Sequence, residues 1–155
     1  MKGLAKKHPL IASITKKLIR IHKSNVSEIK SGINNRKTIE RVGKKLNEWV
    51  KDRKHLENYE STDEILNELG ITSKELSFYC SSVLKKKFVT WRKELRINEA
   101  KELLLKHPDT PACHIGFASG FSDKSNFRQQ FKAVVGCTPN EWRARHIDEY
   151  ANQED

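Results

Sequence analysis

A cluster of hydrogen-bonding side chains follows a glycine near the C-terminal end of the chain, in the sequence GFSDKSNFRQQF. The cluster consists of Lys124, Ser125, Arg128 and Gln129. Helical periodicity puts Phe127 and Phe131 on a buried side and the cluster on the opposite side. Arginine can donate two hydrogen bonds to a guanine edge, glutamine can pair bidentately with adenine, and lysine or serine reaches a base or a phosphate. A solvated helix surface carries the same mixture, so both interpretations stay open at this point.

The element that carries the cluster has a second copy earlier in the chain. Residues 63–80, DEILNELGITSKELSFYC, resemble residues 112–131, ACHIGFASGFSDKSNFRQQF. Ile65 corresponds to Ile115 and Cys80 to Phe131, with one residue inserted between them in the later copy. Each copy predicts a short helix, a turn at Gly70 or Gly120, and a capped second helix. A turn glycine permits a positive φ, and a small residue four positions earlier, Gly116 in the second copy, lets the two helices approach. This is the anatomy of a helix-turn-helix motif.

In the first copy, Lys74 and Ser77 occupy the positions that match the cluster, and Phe78 could contact a thymine methyl group. The alternative for Phe78 is packing against a neighbouring helix. The predicted phosphate contacts are Lys85, Lys86, Lys87, Ser122 and Lys132. A lysine run is also typical of a solvated surface.

The elements that must position these residues are helices. Residues 38–147 show recurring helical periodicity and no strand-like alternation, which predicts an all-α domain of seven helices. We expect the first helix at 39–55, the first helix-turn-helix at 62–84, a linker helix at 89–106, the second helix-turn-helix at 111–134, and a last helix that begins at Thr138. Capping boxes are expected at Ser61, Thr72 and Thr138. Val83, Trp91, Phe117, Phe121 and Trp142 are expected in the core.

The length of the linker helix suits two motifs that act together. About 16 residues at about 1.5 Å each span roughly 24 Å. Two recognition helices on one side of B-DNA should lie roughly 34 Å apart. One monomer could therefore contact two successive major grooves, with the packing of each motif supplying the remaining offset.

The surplus charge lies outside this domain. The net charge is +10, and residues 1–37 hold ten Lys and Arg against one acidic residue. Residues 9–23 predict a basic amphipathic helix, the polar residues 24–37 predict a linker, and residues 148–155 form an acidic tail. This charge is compatible with a nucleic-acid or acidic-surface partner.

The arrangements expected of an enzyme are missing from the sequence. Its three cysteines are widely spaced without a CxxC, and its six histidines show no metal-ligand spacing. No nucleophile and base pair, paired carboxylates or phosphate-binding loop is visible. We therefore expect no catalytic activity, no metal and no cofactor. The cysteine usage favours a reduced, cytoplasmic setting, and the longest apolar run, near Leu10, is too short for a membrane span.

About residues 38–146 resemble the DNA-binding domain of the AraC/XylS family of transcription regulators. The matching motifs are WRKELRINEAKELLLKH in the linker helix, GFSDKSNFRQQFK in the second motif and GCTPNEWR near the end. The resemblance implies two three-helix subdomains joined by the linker helix, with the third and sixth helices as recognition helices. This chain has Phe78 and Gln129 where the family usually has arginine, and Lys85 where glycine is common.

These features favour a sequence-specific DNA-binding transcription regulator located in the cytoplasm with the nucleoid. Double-stranded DNA is the expected partner, and the resemblance implies RNA polymerase as a second one. The family usually adds an effector-binding or sensory domain, for which 37 N-terminal residues are too few. The chain is therefore expected to be the DNA-binding part of a longer regulator, a truncated relative or a stand-alone member.

A protein-interaction module on the same fold is the alternative. In that case the recognition helices no longer bind specific DNA, Phe78 anchors a partner, and the basic N-terminal helix docks on a membrane or an acidic protein.

Overall fold

A computed structural model describes the backbone of residues 9–152 and the side chains of residues 19–28 and 30–152. Within this part of the chain every regular element is helical. The α-helices are α1 (Pro9–Lys51), α2 (Thr62–Leu69), α3 (Ser73–Tyr79), α4 (Phe88–Lys106), α5 (Ala112–Ala118), α6 (Lys124–Val135) and α7 (Pro139–Ala151). A 3-10 turn, Lys54–Leu56, precedes α2, and a π-helical turn, Cys80–Leu84, follows α3. The predicted all-α class with seven helices is confirmed.

The chain divides into two compact units, residues 1–41 and residues 42–155. In the first unit α1 continues without interruption through residues 24–37, so the expected linker there is wrong. The stretch contains no proline, and Gly32 costs a helix only about 1 kcal/mol relative to alanine, which is too little to end it. Residues 1–8 of the predicted basic extension lie outside the described part of the chain.

In the second unit, the first of two hydrophobic clusters joins the end of α1 to α2, α3 and the start of α4. Its buried members are Val42, Leu46, Trp49, Ile65, Leu66, Leu69, Ile71, Leu76, Cys80 and Phe88. The ring centroids of Trp49 and Phe88 are 5.9 Å apart, and Trp91 packs half-buried at the edge. This cluster holds the first helix-turn-helix motif.

The second cluster joins the C-terminal half of α4 to α5, α6 and α7. Its buried members are Ile97, Ala100, Leu104, Ile115, Phe121, Phe127, Phe131, Cys137 and Trp142. Because Phe88 belongs to the first cluster and Ile97 and Leu104 belong to the second, α4 is a wall of both cores.

Side-chain caps determine where the helices of the motifs begin. Thr72 and Thr138 form the predicted capping boxes with the glutamates three residues later. Ser61 accepts a hydrogen bond from the Glu64 N–H, whereas the Glu64 carboxylate accepts from the Glu60 N–H. The third predicted box is therefore only half formed.

Two residues expected in the core are exposed, Phe117 by 50% and Val83 by 43%. Val83 lies in the π-helical turn, whose wider winding breaks the register that a continuous α3 would give it. Phe117 follows the buried pair Ile115 and Gly116, and so points away from the side of α5 that packs on the core.

The predicted acidic tail begins inside α7, which continues to Ala151, and residues 153–155 lie outside the described part of the chain. Among the helices of residues 9–152, none combines the length and apolar character needed to cross a membrane.

Candidate nucleic-acid interface

Both helix-turn-helix motifs have the same turn. The turn glycine N–H donates to the carbonyl three residues back, and the next N–H donates to the carbonyl five residues back. These bonds are Gly70–Asn67 and Ile71–Leu66 in the first motif, and Gly120–Phe117 and Phe121–Gly116 in the second, with N···O distances of 3.0–3.2 Å. The backbone φ angles of Gly70 and Gly120 are 57° and 87°, the left-handed conformation predicted for both. The sequence repeat is thus a structural repeat.

The predicted recognition helix α6 is held closely against α5. A Cβ atom at Gly116 would lie 2.6 Å from the ring of Phe127, so glycine is required for this approach, as predicted. Phe127 is only 2% exposed, and its ring contacts those of Phe121 and Phe131 at centroid distances of 5.2 and 5.7 Å. These aromatic contacts fix which side of α6 faces outward.

The outward side of α6 carries the predicted cluster. Lys124, Ser125, Arg128 and Gln129 are all exposed. The Asp123 carboxylate accepts a hydrogen bond of 2.7 Å from the Asn126 N–H and so fixes the first turn of the helix. Within the described part of the chain, Lys124 and Arg128 make no ion pair, so their charges face outward uncompensated.

A cleft beside α6 extends this surface toward the start of α7. It is lined by Ala112, Cys113, Lys124, Ser125, Phe127, Arg128, Thr138, Pro139 and Asn140. Asn140 is exposed and adds an amide donor and acceptor near Arg128. Sequence reasoning missed it, because its position beside α6 depends on how α7 packs.

The corresponding helix of the first motif, α3, contains no arginine or glutamine. Lys74 and Ser77 are exposed, and Phe78 is half-buried. Ser81, which was not predicted, is also exposed, and its hydroxyl donates a 3.0 Å hydrogen bond to the Phe78 carbonyl. Its position four residues after Ser77 puts it on the same helix surface, and this spacing could have identified it. A second cleft beside α3 is lined by Ser73, Leu76, Ser77, Cys80, Ser81, Lys86, Lys87 and Phe88.

Lys85 ends the first motif in an unusual conformation. Its φ of 55° and ψ of 26° are left-handed, at the position where the resembling family commonly has glycine. A side chain with a Cβ is strained there. Lys85 thus adopts a conformation that glycine would take without strain.

The remaining predicted phosphate contacts differ in availability. Lys86 forms an ion pair of 2.6 Å with Glu94, so its charge is partly compensated. Lys85, Lys87, Ser122 and Lys132 are exposed.

An arginine ties the loop before each motif to the helix after it. In the first subdomain, Arg92 of α4 donates to the carbonyls of His55 and Glu57. In the second, Arg143 of α7 donates to the carbonyls of Pro108 at 2.8 Å and Thr110 at 2.7 Å. Each arginine closes its own three-helix subdomain.

These two arginines extend the repeat beyond the motifs. Arg92 and Arg143 each follow a tryptophan, and each is the fifth residue after the N-cap of its helix. The sequence shows this part of the repeat as the dipeptide WR, which begins 21 residues after Gly70 and 22 residues after Gly120. The residue inserted in the second copy explains why the two spacings differ by one. Sequence reasoning missed it.

Burial lowers the pKa values of Arg92, Arg96 and His55, which lie where α4 meets the loop before the first motif. The pKa of Arg96 is lowered to about 10 by burial and by the neighbouring charge of Arg92, and burial also lowers the pKa of Arg92. The Arg92 guanidinium lies 5.1 Å from the Tyr59 ring centroid, which provides a cation–π contact. The pKa of His55, whose side chain is 5% exposed, is lowered chiefly by burial. Arg96 therefore stays charged at neutral pH, whereas His55 is neutral.

No cluster of three potential metal ligands occurs in the part of the chain that the structure describes.

Known proteins share this helical architecture. Residues 65–145, more than half of the chain, match a family model described as a helix-turn-helix domain. A solved structure of a protein of unknown function from Listeria innocua is 30% identical, with 59% of this chain and 86% of that chain covered and a TM-score of 0.52. The C-terminal domain of AraT, a response regulator from Geobacillus stearothermophilus, is 18% identical, with 72% and 84% covered and a TM-score of 0.55, and it supports the fold alone. No curated protein matches the chain.

The family match covers the first motif from Ile65 onward, the whole second motif, both turns and the linker helix between them. This chain belongs to the AraC-type helix-turn-helix family of DNA-binding transcription regulators.

Proposed function

We propose that this chain is a sequence-specific transcription regulator that contacts two successive major-groove segments through α3 and α6 of a single copy. The observation that carries the proposal is the repeated motif: two turns with the same hydrogen bonds support two helices whose outward sides are largely polar and exposed. The 19 residues of α4 extend about 28 Å at about 1.5 Å per residue. Successive grooves lie about 34 Å apart, so only a small offset is left for the packing of each motif.

In this proposal α6 supplies the stronger base contacts. Arg128 donates two hydrogen bonds to guanine, Gln129 pairs with adenine, and Lys124 and Ser125 reach a base or a phosphate at the start of the helix. In α3 the corresponding contacts come from Lys74, Ser77 and Phe78, with the Phe78 ring against a thymine methyl group. Phosphate contacts come from Lys85, Lys86, Lys87, Ser122 and Lys132.

The proposed role needs partners but no catalysis. Double-stranded DNA is the ligand, RNA polymerase is the protein partner whose recruitment or obstruction changes transcription, and a sensory or effector domain acts from the same or another chain. We place the protein with the nucleoid in the cytoplasm. Turnover of a substrate that persists after substitution of the recognition helices would contradict a purely regulatory role.

Selection from a pool of random duplexes tests the proposal directly. We expect two enriched blocks of base pairs whose centres are about 10–10.5 base pairs apart. Salt-sensitive binding without any enrichment would instead support the protein-interaction module, in which DNA affinity is only nonspecific.

The selected site then allows a test of one side chain. Arg128→Ala should weaken binding to that site by about 1–3 kcal/mol and relax the preference at one base pair. Lys106→Ala, which removes a cation from the end of α4, is the control and should leave the preference unchanged. If Arg128→Ala weakened binding to all sequences equally, Arg128 would be a phosphate contact.

The charge of residues 1–37 makes a separate prediction. Their deletion should lower DNA affinity broadly and flatten the dependence of affinity on salt, because fewer counterions are then released on binding. An unchanged salt slope would show that this charge does not contact DNA.

A further inference from the structure

The loop before the first motif, residues 53–57, is held by three successive turns of α4. Arg92 binds the loop carbonyls described above, and Arg96 donates to the same two, at 2.8 Å to His55 and 2.6 Å to Glu57. One turn later, Glu99 accepts two hydrogen bonds from Arg53, at 2.6 and 3.3 Å. The loop and α4 are therefore fastened together along most of the loop's length.

The turn of the second motif lies directly on this loop. A Cβ atom at Gly120 would be 2.3 Å from the Leu56 carbonyl oxygen and 2.9 Å from Nε of Arg96. Gly120 itself is buried. At the equivalent Gly70 of the first motif, the nearest atom to such a Cβ is the amino nitrogen of Lys45 at 3.3 Å, the end of a flexible side chain. The close backbone approach thus occurs only at the second turn, where the two subdomains meet.

Among the residues that hold the 53–57 loop, Arg96 has no counterpart in the second subdomain. Arg92 corresponds to Arg143, since each closes its own subdomain. The position four residues after Arg143 is Ile147, so the second subdomain has no equivalent of Arg96. A cation that is present only where the subdomains meet points to a role in joining them.

We propose that Arg96, the Leu56 carbonyl and Gly120 form a junction that fixes the separation and rotation of α3 relative to α6, and so selects the spacing of the two half-sites. This inference rests on the proposed function. One added base pair moves a half-site by about 3.4 Å and rotates it by about 35°. A rigid junction rejects such a site, whereas a loose connection tolerates it. Arg96 is in this sense a positioning residue, since it sets the geometry without contacting a base.

The experiment measures spacing preference rather than affinity alone. The duplex selected by the wild-type protein is compared with duplexes that have one base pair added or removed between the two blocks. For the wild type we expect binding to fall by on the order of tenfold or more for either change, because the second half-site is then misplaced. For Arg96→Met we expect this ratio to shrink at least several-fold. Arg96→Lys keeps the charge but loses the two-carbonyl geometry, and provides a milder variant should Arg96→Met fail to fold.

Arg143→Met is the matched control. It removes the equivalent two-carbonyl contact from the second subdomain and leaves the junction intact, so it should lower stability without changing the spacing ratio. The proposal is overturned if the folded Arg96 variants keep the wild-type ratio, or if Arg143→Met changes the ratio as much. If the wild-type protein enriches no two-block site, the proposed function itself fails, and that result is visible before any variant is compared.

Discussion

Gly116→Ala tests how α6, the second of the two proposed recognition helices, is positioned. The added methyl group would lie 2.6 Å from the Phe127 ring, about 0.8 Å short of the 3.4 Å at which ordinary contact begins. Phe127 cannot swing aside, since it is 2% exposed and lies between the rings of Phe121 and Phe131. α5 and α6 must therefore move apart.

Two opposing effects determine how much Gly116→Ala changes the free energy of unfolding. Overpacking of a well-packed core costs about 1–3 kcal/mol. Alanine is a better helix former than glycine by about 1 kcal/mol, which offsets part of this cost. We expect a net loss of about 0–2 kcal/mol in the free energy of unfolding, and a fall in Tm of up to about 8 °C.

Thermal unfolding of the variant beside Gly32→Ala measures this loss. At Gly32 an added Cβ meets no atom within 4 Å, so that control gains helix propensity without a clash and should not lower the Tm. DNA affinity, measured well below both melting temperatures, should also fall for Gly116→Ala because α6 is displaced. A Gly116→Ala protein that melts above the wild-type temperature would refute the close approach of α5 and α6.

Three further predictions concern local features of the same unit. Lys85→Gly should stabilise the protein by about 0.5–1 kcal/mol, because glycine adopts the left-handed conformation of residue 85 without strain. Lys87→Gly is the control: it removes the same charge at a φ of −67°, where no strain is relieved, and should not stabilise the protein. Denaturant unfolding compares the two variants. Asp123→Ala should cost about 1 kcal/mol through loss of the helix cap, and Asp123→Asn, which still accepts the hydrogen bond, should restore most of it; equal losses in Tm would contradict a capping role. The pKa of His55 is lower in the folded than in the unfolded chain, so its contribution to stability is complete above about pH 6.5 and is lost as the pH falls toward the folded pKa. Unfolding measured between pH 7.5 and about pH 5 should show a steeper loss for the wild type than for His55→Gln, and parallel curves would refute this.

The parts of the fold that depend on local chemistry could be predicted from the sequence. Turn glycines, helix caps and the apolar side of α6 depend on neighbouring residues, and the structure has Gly70, Gly120, Thr72, Thr138 and Phe127 in their expected roles. The exposed residues of α6 could then be predicted as well, because a helix with one buried side exposes the other.

The parts that depend on distant backbone groups could not be predicted. Arg92, Arg96 and Arg143 bind carbonyl oxygens between 33 and 41 residues away. Every residue has a backbone carbonyl, so the sequence does not show which of them accepts the hydrogen bond. The continuity of α1 was missed because helix propensity is a weak guide in a polar stretch. The π-helical turn was missed because it changes the winding of the helix without any proline or glycine to mark it.

The two motifs are built alike but carry unequal contact chemistry. α6 offers Arg128 and Gln129, both long and exposed, whereas α3 offers Lys74, Ser77 and a half-buried Phe78, and Ser81 follows in the π-helical turn. On the proposed function, α3 therefore adds little base-specific energy of its own. Its contacts still count if α6 has already bound, because a junction that holds α3 over the next groove removes most of the entropy cost of the second contact. A weak first motif and a rigid junction thus belong together: the looser the junction, the less the first half-site can contribute.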